Sequence, residues 1–393
     1  MNAKVFLSFF IFVLITTGCV TEFHTELPWN NEEILVVEGE IIANSYVRFF
    51  ISNSIPLDQP VVPQEPFEID AKLTLISSKG YESIPAYYLG KGIFRLSVGE
   101  LEDDIEYGIR IEYKGNIYQS SLSKPIHTPE IDSISWIQPE KYGDVFFRIS
   151  THDNASKEAR FYSWKYSEIW EISAYYYTTV FFDPIKFSYY TIDPAPYFYC
   201  WKYSESNKFL VGSTESLKEN RIINKQLFQC KSNDDNRFFW LYHLTVNQRA
   251  ISRSAYDFYL NKIKLNEKMG GLFTPQPSEM LGNITCTTDP SKKAMGYIDI
   301  SKNTTQKSIW VYSSEITQMK NRSCETISHD LVTDGKPYSI QGPLLFYNDG
   351  FRPANAIDPD TNLPTEWSIA QCTSCIAAGG TKNKPYFWPN DHE

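Results

Sequence analysis

One stretch of this chain, residues 252–283, has helical periodicity within a sequence otherwise typical of β-strands. Its apolar side chains recur at helical spacing, at Ala255, Tyr256, Tyr259, Leu260 and Ile263. Ser252 or Ser254 can cap the N-terminus of such a helix. A Gly-Gly pair at 270–271 and two prolines after it would end the helix. The stretch therefore predicts one helix of residues 252–269 that packs on a mainly β protein.

Short alternating runs predict strands on both sides of this helix. The runs between residues 33 and 120 are rich in β-branched and aromatic residues, and Gly, Asn and Asp separate them. Such regular spacing is typical of a small β-sandwich. We therefore predict an immunoglobulin-like sandwich at residues 31–128. A larger β-rich domain carrying the helix would follow at residues 129–393.

The first 18 residues have the features of an export signal. Lys4 supplies a positive charge, and the apolar run that follows, residues 5–15, is too short to span a bilayer. The sequence Thr-Thr-Gly-Cys that ends at Cys19 resembles a bacterial lipobox. We expect residues 1–18 to be removed, Cys19 to be lipidated and residues 19–30 to form a tether. The alternative is an ordinary cleaved signal peptide followed by an incidental cysteine.

Six cysteines follow Cys19, and an even number in an exported protein predicts up to three disulfides. They are Cys200, Cys230, Cys286, Cys324, Cys372 and Cys375. Pairing neighbours in sequence would join Cys200 to Cys230, Cys286 to Cys324 and Cys372 to Cys375, which is one of about 15 connectivities. The last pair forms a CxxC motif without the partners that a zinc site needs, so a structural disulfide is the favoured interpretation.

The most aromatic segment of the chain, residues 174–203, is the candidate binding surface. An exposed aromatic surface can bind sugar or a protein partner, and Tyr176, Tyr189 and Tyr197 are the ligand-binding candidates. The alternative is that these rings fill the core of a large sheet, because β-sheet cores commonly contain aromatic residues.

Several other classes of function lack support in the sequence. The net charge of −10, without a cluster of Lys and Arg, argues against nucleic acid as a partner. The six histidines show no metal-binding spacing, and His152-Asp153 has no accompanying nucleophile motif. The run Asp358-Pro-Asp360 lacks the rest of a calcium loop. We therefore expect no metal, no cofactor and no catalytic residue.

Several sequence blocks resemble a family of Bacteroidota lipoproteins called domain of unknown function 4249. They are LVVEGEI after the lipobox, FYSWKYSEIWEI, the helical stretch with Phe273–Asn283, and the closing block Cys372–Trp388. The resemblance implies an outer-membrane lipoprotein, of a kind often encoded beside a TonB-dependent transporter. It carries over no catalytic or binding residue. The first domain is also similar to the transthyretin-like sandwiches of that phylum.

The sequence thus favours a non-enzymatic binding or accessory lipoprotein of the outer membrane, exposed on the cell surface. Its expected partners are a TonB-dependent transporter and the membrane itself, through the lipid. Two alternatives stay open. One is a surface hydrolase acting on glycans or peptides, because paired carboxylates are placed by the fold and not by spacing. The other is a structural or adhesion protein of the envelope.

Overall fold

The structure is a computed structural model that describes residues 34–54, 68–154, 158–268, 282–319, 323–328, 341–354 and 364–389. Within these ranges the chain is mainly β, as predicted. The strands in chain order are β1 (Leu35–Glu38), β2 (Ile41–Ile42), β3 (Ser45–Asn53), β4 (Ala71–Ser77), β5 (Tyr87–Gly90), β6 (Ile93–Val98), β7 (Tyr107–Tyr113), β8 (Asn116–Ser120), β9 (Ile131–Ile137), β10 (Asp144–His152), β11 (Phe161–Ser173), β12 (Val180–Asp183), β13 (Ser188–Thr191), β14 (Tyr199–Glu205), β15 (Leu210–Ser213), β16 (Arg221–Lys231), β17 (Leu241–Ile251), β18 (Ile284–Cys286), β19 (Ala294–Met295), β20 (Ile300–Ser301), β21 (Thr305–Tyr312), β22 (Ile327–Ser328), β23 (Phe351–Pro353) and β24 (Glu366–Ile369). The helices are α1 (Ala195–Phe198), α2 (Arg253–Lys268), α3 (Gln341–Asn348) and α4 (Ala370–Thr373).

The first sandwich consists of two sheets, ordered β19-β1-β3-β6-β5 and β18-β8-β7-β4. Its strands alternate between a buried and an exposed face, as β3 illustrates. Val47, Phe49 and Ile51 point into the core, whereas Tyr46 and Arg48 are exposed. This period of two places every second apolar residue between the sheets, and that burial stabilises the sandwich.

The predicted boundary at residue 128 needs a correction, because the first sandwich is not continuous in sequence. β18 pairs with β8, and β19 pairs with β1 in parallel. Ile284, Ile298 and Ile300 lie in the core of the first sandwich. Residues 282–301 therefore complete the first sandwich after the chain has built most of the second. Periodicity cannot show this, because pairing between distant strands is decided by packing and not by the local pattern.

The second sandwich packs the sheet β14-β11-β17-β21, with β15 also paired to β11, against the sheet β16-β10-β9. Its core is rich in aromatic residues. Phe147 contacts both Phe228 and Tyr242, at ring-centroid distances of 4.8 and 5.5 Å. Trp164 is fully buried, and its indole N–H donates to Gln248 Oε1 at 2.8 Å. Because the indole N–H has a hydrogen-bond partner, the ring can lie in the core without the free-energy cost of an unsatisfied buried donor.

The predicted helix is confirmed as α2, and it packs against the second sandwich. Ser252 is the cap: the backbone N–H of Ala255 donates to Ser252 Oγ at 3.1 Å. Ala255 is fully buried, and Tyr256 packs on Phe161 of β11 at 5.2 Å. The glycines and prolines expected to end the helix, in 269–281, lie outside the described residues.

A smaller C-terminal lobe forms around Trp367, which is completely buried. The hairpin β12-β13 contributes Phe182, at 5.7 Å from the Trp367 ring, and α3 contributes Phe346 at the same distance. The three-stranded sheet β22-β24-β23 and helix α4 complete this lobe.

Two disulfides tie the lobe together, and the predicted neighbour pairing is wrong. Cys200 bonds to Cys375, and Cys324 bonds to Cys372. The remaining two cysteines, Cys230 and Cys286, are free and buried, in the cores of different sandwiches. The reason is tertiary: the backbone of Trp201 pairs with Thr381, which brings the end of the chain onto β14 beside Cys200. The CxxC cysteines therefore each bond to a distant partner and not to each other.

Candidate ligand-binding cleft between the two sandwiches

A cleft of about 250 Å³ lies where the first sandwich, the second sandwich and α2 meet. Its floor is the outer face of the first sandwich, to which β1 and β3 contribute Val36, Glu38 and Arg48. One wall is α2, and the other is the second sandwich with Lys165 and Arg249. The floor side chains point outward because their neighbours in the strands fill the core.

A close backbone approach fixes one end of the cleft. Gly296, beside β19, has φ of +137°, and a Cβ on it would lie 1.9 Å from the carbonyl oxygen of Val37. A side chain therefore cannot be accommodated at this position without moving one of the two strands. Gly296 lets the returning chain lie directly on β1, and the neighbouring Met295 and Tyr297 line the cleft.

A group of charges, in which Arg249 and Asp299 are buried, holds the two sandwiches together at the back of the cleft. Arg249 of β17 contacts Glu40 from the first sandwich, with Nε 3.2 Å from Oε2. Its Nη1 lies 3.8 Å from Asp299 Oδ2, which is an ion pair but too long for a hydrogen bond. Glu40 also accepts a hydrogen bond from Lys165 Nζ at 3.2 Å, and Asp299 accepts one from the Ser252 N–H at 3.1 Å.

The balance of burial and charge differs between the two carboxylates. Burial raises the pKa of Glu40, but Arg249 and Lys165 outweigh it, so this pKa lies below its ordinary value. Burial is also the largest influence on the pKa of Asp299. Its effect exceeds the opposing effect of Arg249, so the pKa of Asp299 is raised. Burial lowers the pKa of Arg249, but Glu40 and Asp299 outweigh it and the pKa is raised. The guanidinium is therefore charged and serves mainly to join the domains.

The wall above the floor combines aromatic rings with a lysine. Tyr259 of α2 stacks on Phe209 at 5.3 Å, and Phe258 packs against Tyr297 at 5.4 Å. The ammonium of Lys262 lies 4.5 Å from the centre of the Phe209 ring and 3.4 Å from Glu38 Oε1. Apolar walls with a few charged groups are typical of sites that bind a small polar ligand with an apolar body.

The structure places the predicted binding tyrosines in the C-terminal lobe and not in this cleft. Tyr176 donates its hydroxyl to the carbonyl of Cys324 at 2.7 Å. Tyr189 packs against Trp367 at 6.3 Å, and Tyr197 packs against Phe181 at 5.5 Å. All three are half-buried, which favours a role in stabilising the lobe. Their part in binding stays a prediction.

Other predicted positions lie outside the described residues. They are the lipidation candidate Cys19, residues 273–281 of the block Phe273–Asn283, and the aspartates at 358 and 360. The closing block is described: Trp388 is buried against Trp310, and its indole N–H donates to Glu171 Oε2 at 3.3 Å.

Two other polar clusters are separate from the cleft. His152 Nδ1 lies 2.6 Å from Asp132 Oδ1 on the neighbouring strand, whereas the adjacent Asp153 accepts from the Ala159 N–H. Glu168 accepts from the Tyr242 hydroxyl at 2.8 Å and pairs with Arg237 at 3.2 Å inside the second sandwich. The described part of the chain contains no group of three or more residues arranged to hold a metal ion.

Sequence reasoning missed the residues of the cleft, although one local signal was present. Arg249 occurs in LYHLTVNQRAI, where a strand buried along almost its whole length contains one cation. A cation inside such a strand requires a carboxylate partner, and it therefore marks an ion-pair site. The identity of the partners, Glu40 and Asp299, depends on the domain arrangement and has no signal in the sequence.

Comparison with known proteins gives a family but no activity. The model of a family described as "Domain of unknown function (DUF4249)" matches residues 20–307. A search of curated proteins found no match. Among solved structures, a two-domain fibronectin type III segment of chicken tenascin is 12% identical, and the match covers 55% of this chain and 90% of that one, with a TM-score of 0.16. Within the described ranges, none of the helices has both the length and the apolar character needed to cross a membrane.

Proposed function

Because this chain belongs to the DUF4249 family, whose description assigns no activity, we propose a function from its cleft. The protein is a non-enzymatic binding component of the outer membrane. It is anchored through Cys19, exposed on the cell surface and associated with a TonB-dependent transporter. The cleft between the sandwiches holds a ligand, which the transporter then takes up.

The cleft is the observation that carries this proposal. It has a volume of about 250 Å³, and it lies between two domains that Arg249 holds in a fixed arrangement. Arg48 places a positive charge beside walls formed by Phe209 and other rings, whereas Lys165 and Lys262 are paired with Glu40 and Glu38. Sites between domains are common places for ligand binding. In a pre-formed cleft, binding also requires less free energy for ordering side chains and loops.

The lipobox-like sequence supports the proposed location. The lipobox-like sequence before Cys19 is followed by a chain whose described helices do not span a membrane. Two acyl chains are enough for stable anchoring, because each buried CH₂ contributes about 0.8 kcal/mol. A lipid-anchored protein can reach a transporter in the same membrane while its folded domains remain in water.

The test is affinity purification of the tagged full chain from gently solubilised outer membranes, with Cys19→Ala as the matched control. The proposal predicts that a TonB-dependent transporter co-purifies at a near-equal molar amount. It also predicts that the Cys19→Ala protein leaves the membrane fraction and loses the transporter. Recovery of the wild-type protein alone would contradict the transporter association. Turnover of a glycan or peptide panel by the purified protein would replace this proposal with the hydrolase alternative.

A further inference from the structure

The outer face of the first sandwich carries two arginines directly opposite each other. Arg48 of β3 and Arg95 of β6 are partners in the register of these antiparallel strands, and both are exposed. Neither has a carboxylate within ion-pair distance among the described residues. The carboxylate on the adjacent strand, Glu38, pairs instead with Lys262. Like charges directly opposite each other destabilise a sheet. The two arginines nevertheless remain without an ion-pair partner in the described part of a chain whose net charge is −10 and in which acidic residues are plentiful.

Two exposed tyrosines hold the second arginine in place. The guanidinium carbon of Arg95 lies 5.7 Å from the ring centre of Tyr46 and 5.9 Å from that of Tyr87. These rings are 75% and 66% exposed, so both are accessible to a ligand. Contacts with both rings restrict the guanidinium, so the side chain loses less conformational entropy when it binds an anion.

This charged face is continuous with the cleft. Arg48 belongs to both, since it lines the cleft and pairs in register with Arg95. Helix α2 and Phe209 stand over the β1 side of the same face, so the face is the floor of a groove with one raised wall. A ligand lying along the groove would meet the Lys262–Glu38 ion pair and Arg48 first, and then Arg95 with its two tyrosines.

We propose that this groove binds an extended ligand with repeated anionic groups, and that the ligand is an acidic oligosaccharide. This inference rests on the proposed binding function and names its ligand class. The arginines contact successive carboxylates, and the apolar faces of the sugar rings pack on Tyr46 and Tyr87. An acidic peptide fits less well. β3 and β6, which carry both arginines, are paired on both sides, so they offer no free backbone edge to a peptide.

The test is calorimetric titration of the full mature chain with tetragalacturonate, neutral galactotetraose and a tetraglutamate peptide. We expect the acidic sugar to bind at least tenfold more tightly than the other two probes, with an affinity that falls as salt is added. The Arg48→Gln/Arg95→Gln variant should lose at least tenfold in affinity. The Tyr46→Ala/Tyr87→Ala variant should weaken binding while the salt dependence remains.

The matched control is Lys72→Gln/Arg110→Gln, which removes two positive charges from the other sheet of the same sandwich. It should bind the acidic sugar as the wild type does. Equal binding of the neutral sugar, tighter binding of the peptide, or unchanged affinity in the arginine variant would each overturn the proposal. Absence of binding to all three probes would overturn it as well. If a transporter still co-purified in that case, the ligand class alone would be wrong and the accessory function would stand.

Discussion

Replacing Arg249 with methionine should destabilise the protein strongly, because it leaves two carboxylates at the domain junction without their shared partner. Methionine retains much of the aliphatic length of arginine, so the change removes mainly the charge. Glu40 keeps its contact with Lys165 at 3.2 Å and is partly exposed. Asp299 is 1% exposed and keeps only hydrogen bonds, such as that from the Ser252 N–H.

The expected loss is about 3–5 kcal/mol of unfolding free energy, the range for removing one partner of a buried ion pair. Most of it comes from Asp299, because Glu40 retains a cation. Exchanging all three residues, as Arg249→Met with Glu40→Gln and Asp299→Asn, should recover most of the loss, since no buried charge then remains. The matched control is Arg253→Met, which breaks an exposed ion pair with Glu215 and should cost about 0–1 kcal/mol.

The pH dependence gives this prediction a second readout. Burial already raises the pKa of Asp299 in the folded state, and removing Arg249 raises it further. A carboxyl with a raised folded pKa contributes stability that is fully present below its unfolded value of about 3.9 and is lost as pH rises through the folded pKa. The deficit of the Arg249→Met variant should therefore be smaller at mildly acidic pH than at neutral pH.

The assay is urea unfolding followed by both tryptophan fluorescence and circular dichroism, because a protein with two sandwiches can unfold in separate steps. The expected result is a lower transition midpoint for the Arg249→Met variant, with recovery in the triple variant. A loss of unfolding free energy below about 1 kcal/mol, or a loss that is the same at acidic and neutral pH, would refute the claim that the variant leaves Asp299 buried without a compensating charge.

Three further predictions follow from single contacts. Gly296→Ala should lower the free energy of unfolding in urea by about 1–3 kcal/mol or more, because its Cβ would lie 1.9 Å from the Val37 carbonyl oxygen. The control Gly99→Ala, whose Cβ would have nothing within 4 Å, should cost far less. Equal losses in the two variants would contradict the close approach at Gly296. Burial raises the pKa of the Cys230 thiol to about 12, so the native protein should resist alkylation there at pH 8. Unfolding the mature protein, in which Cys19 is lipidated, without reductant should expose two thiols by mass spectrometry, at Cys230 and Cys286. Replacing Cys200 and Cys375 with serine opens a link across 175 residues and should lower the unfolding free energy by about 4–5 kcal/mol in the chain-entropy description. A loss near zero would contradict a stabilising contribution of this disulfide.

The elements that periodicity specifies were predictable. The helical spacing from Ala255 to Ile263 gave α2 with its serine cap, because amphipathic spacing and capping are local properties. The alternation in β3 likewise identified both a core face and an exposed face. The first sandwich was predicted as a type of structure, but its final strands were not, because they come from residues 284–295.

The candidate site could not be predicted because its residues come from distant parts of the chain. Arg48, Lys165 and Lys262 share one cleft although each lies on a different element. Even the opposed arginines required the pairing of β3 with β6, since a shift of one residue would place Arg95 in the core. In the aromatic segment 174–203, Phe182 and Tyr189 pack around Trp367, and the part of the segment in binding stays a prediction.

The sequence by itself therefore determined the kinds of element and their exposed faces, because a side-chain period is set within a few residues. It also supplied the candidate export signal at residues 1–18 and the resemblance to the DUF4249 family, and the family comparison confirmed the family. Only the tertiary structure decided which cysteines meet, which strands close the first sandwich and which charges surround the cleft. Those outcomes depend on the packing of two cores against each other, and cores select partners by shape and burial and not by distance along the chain.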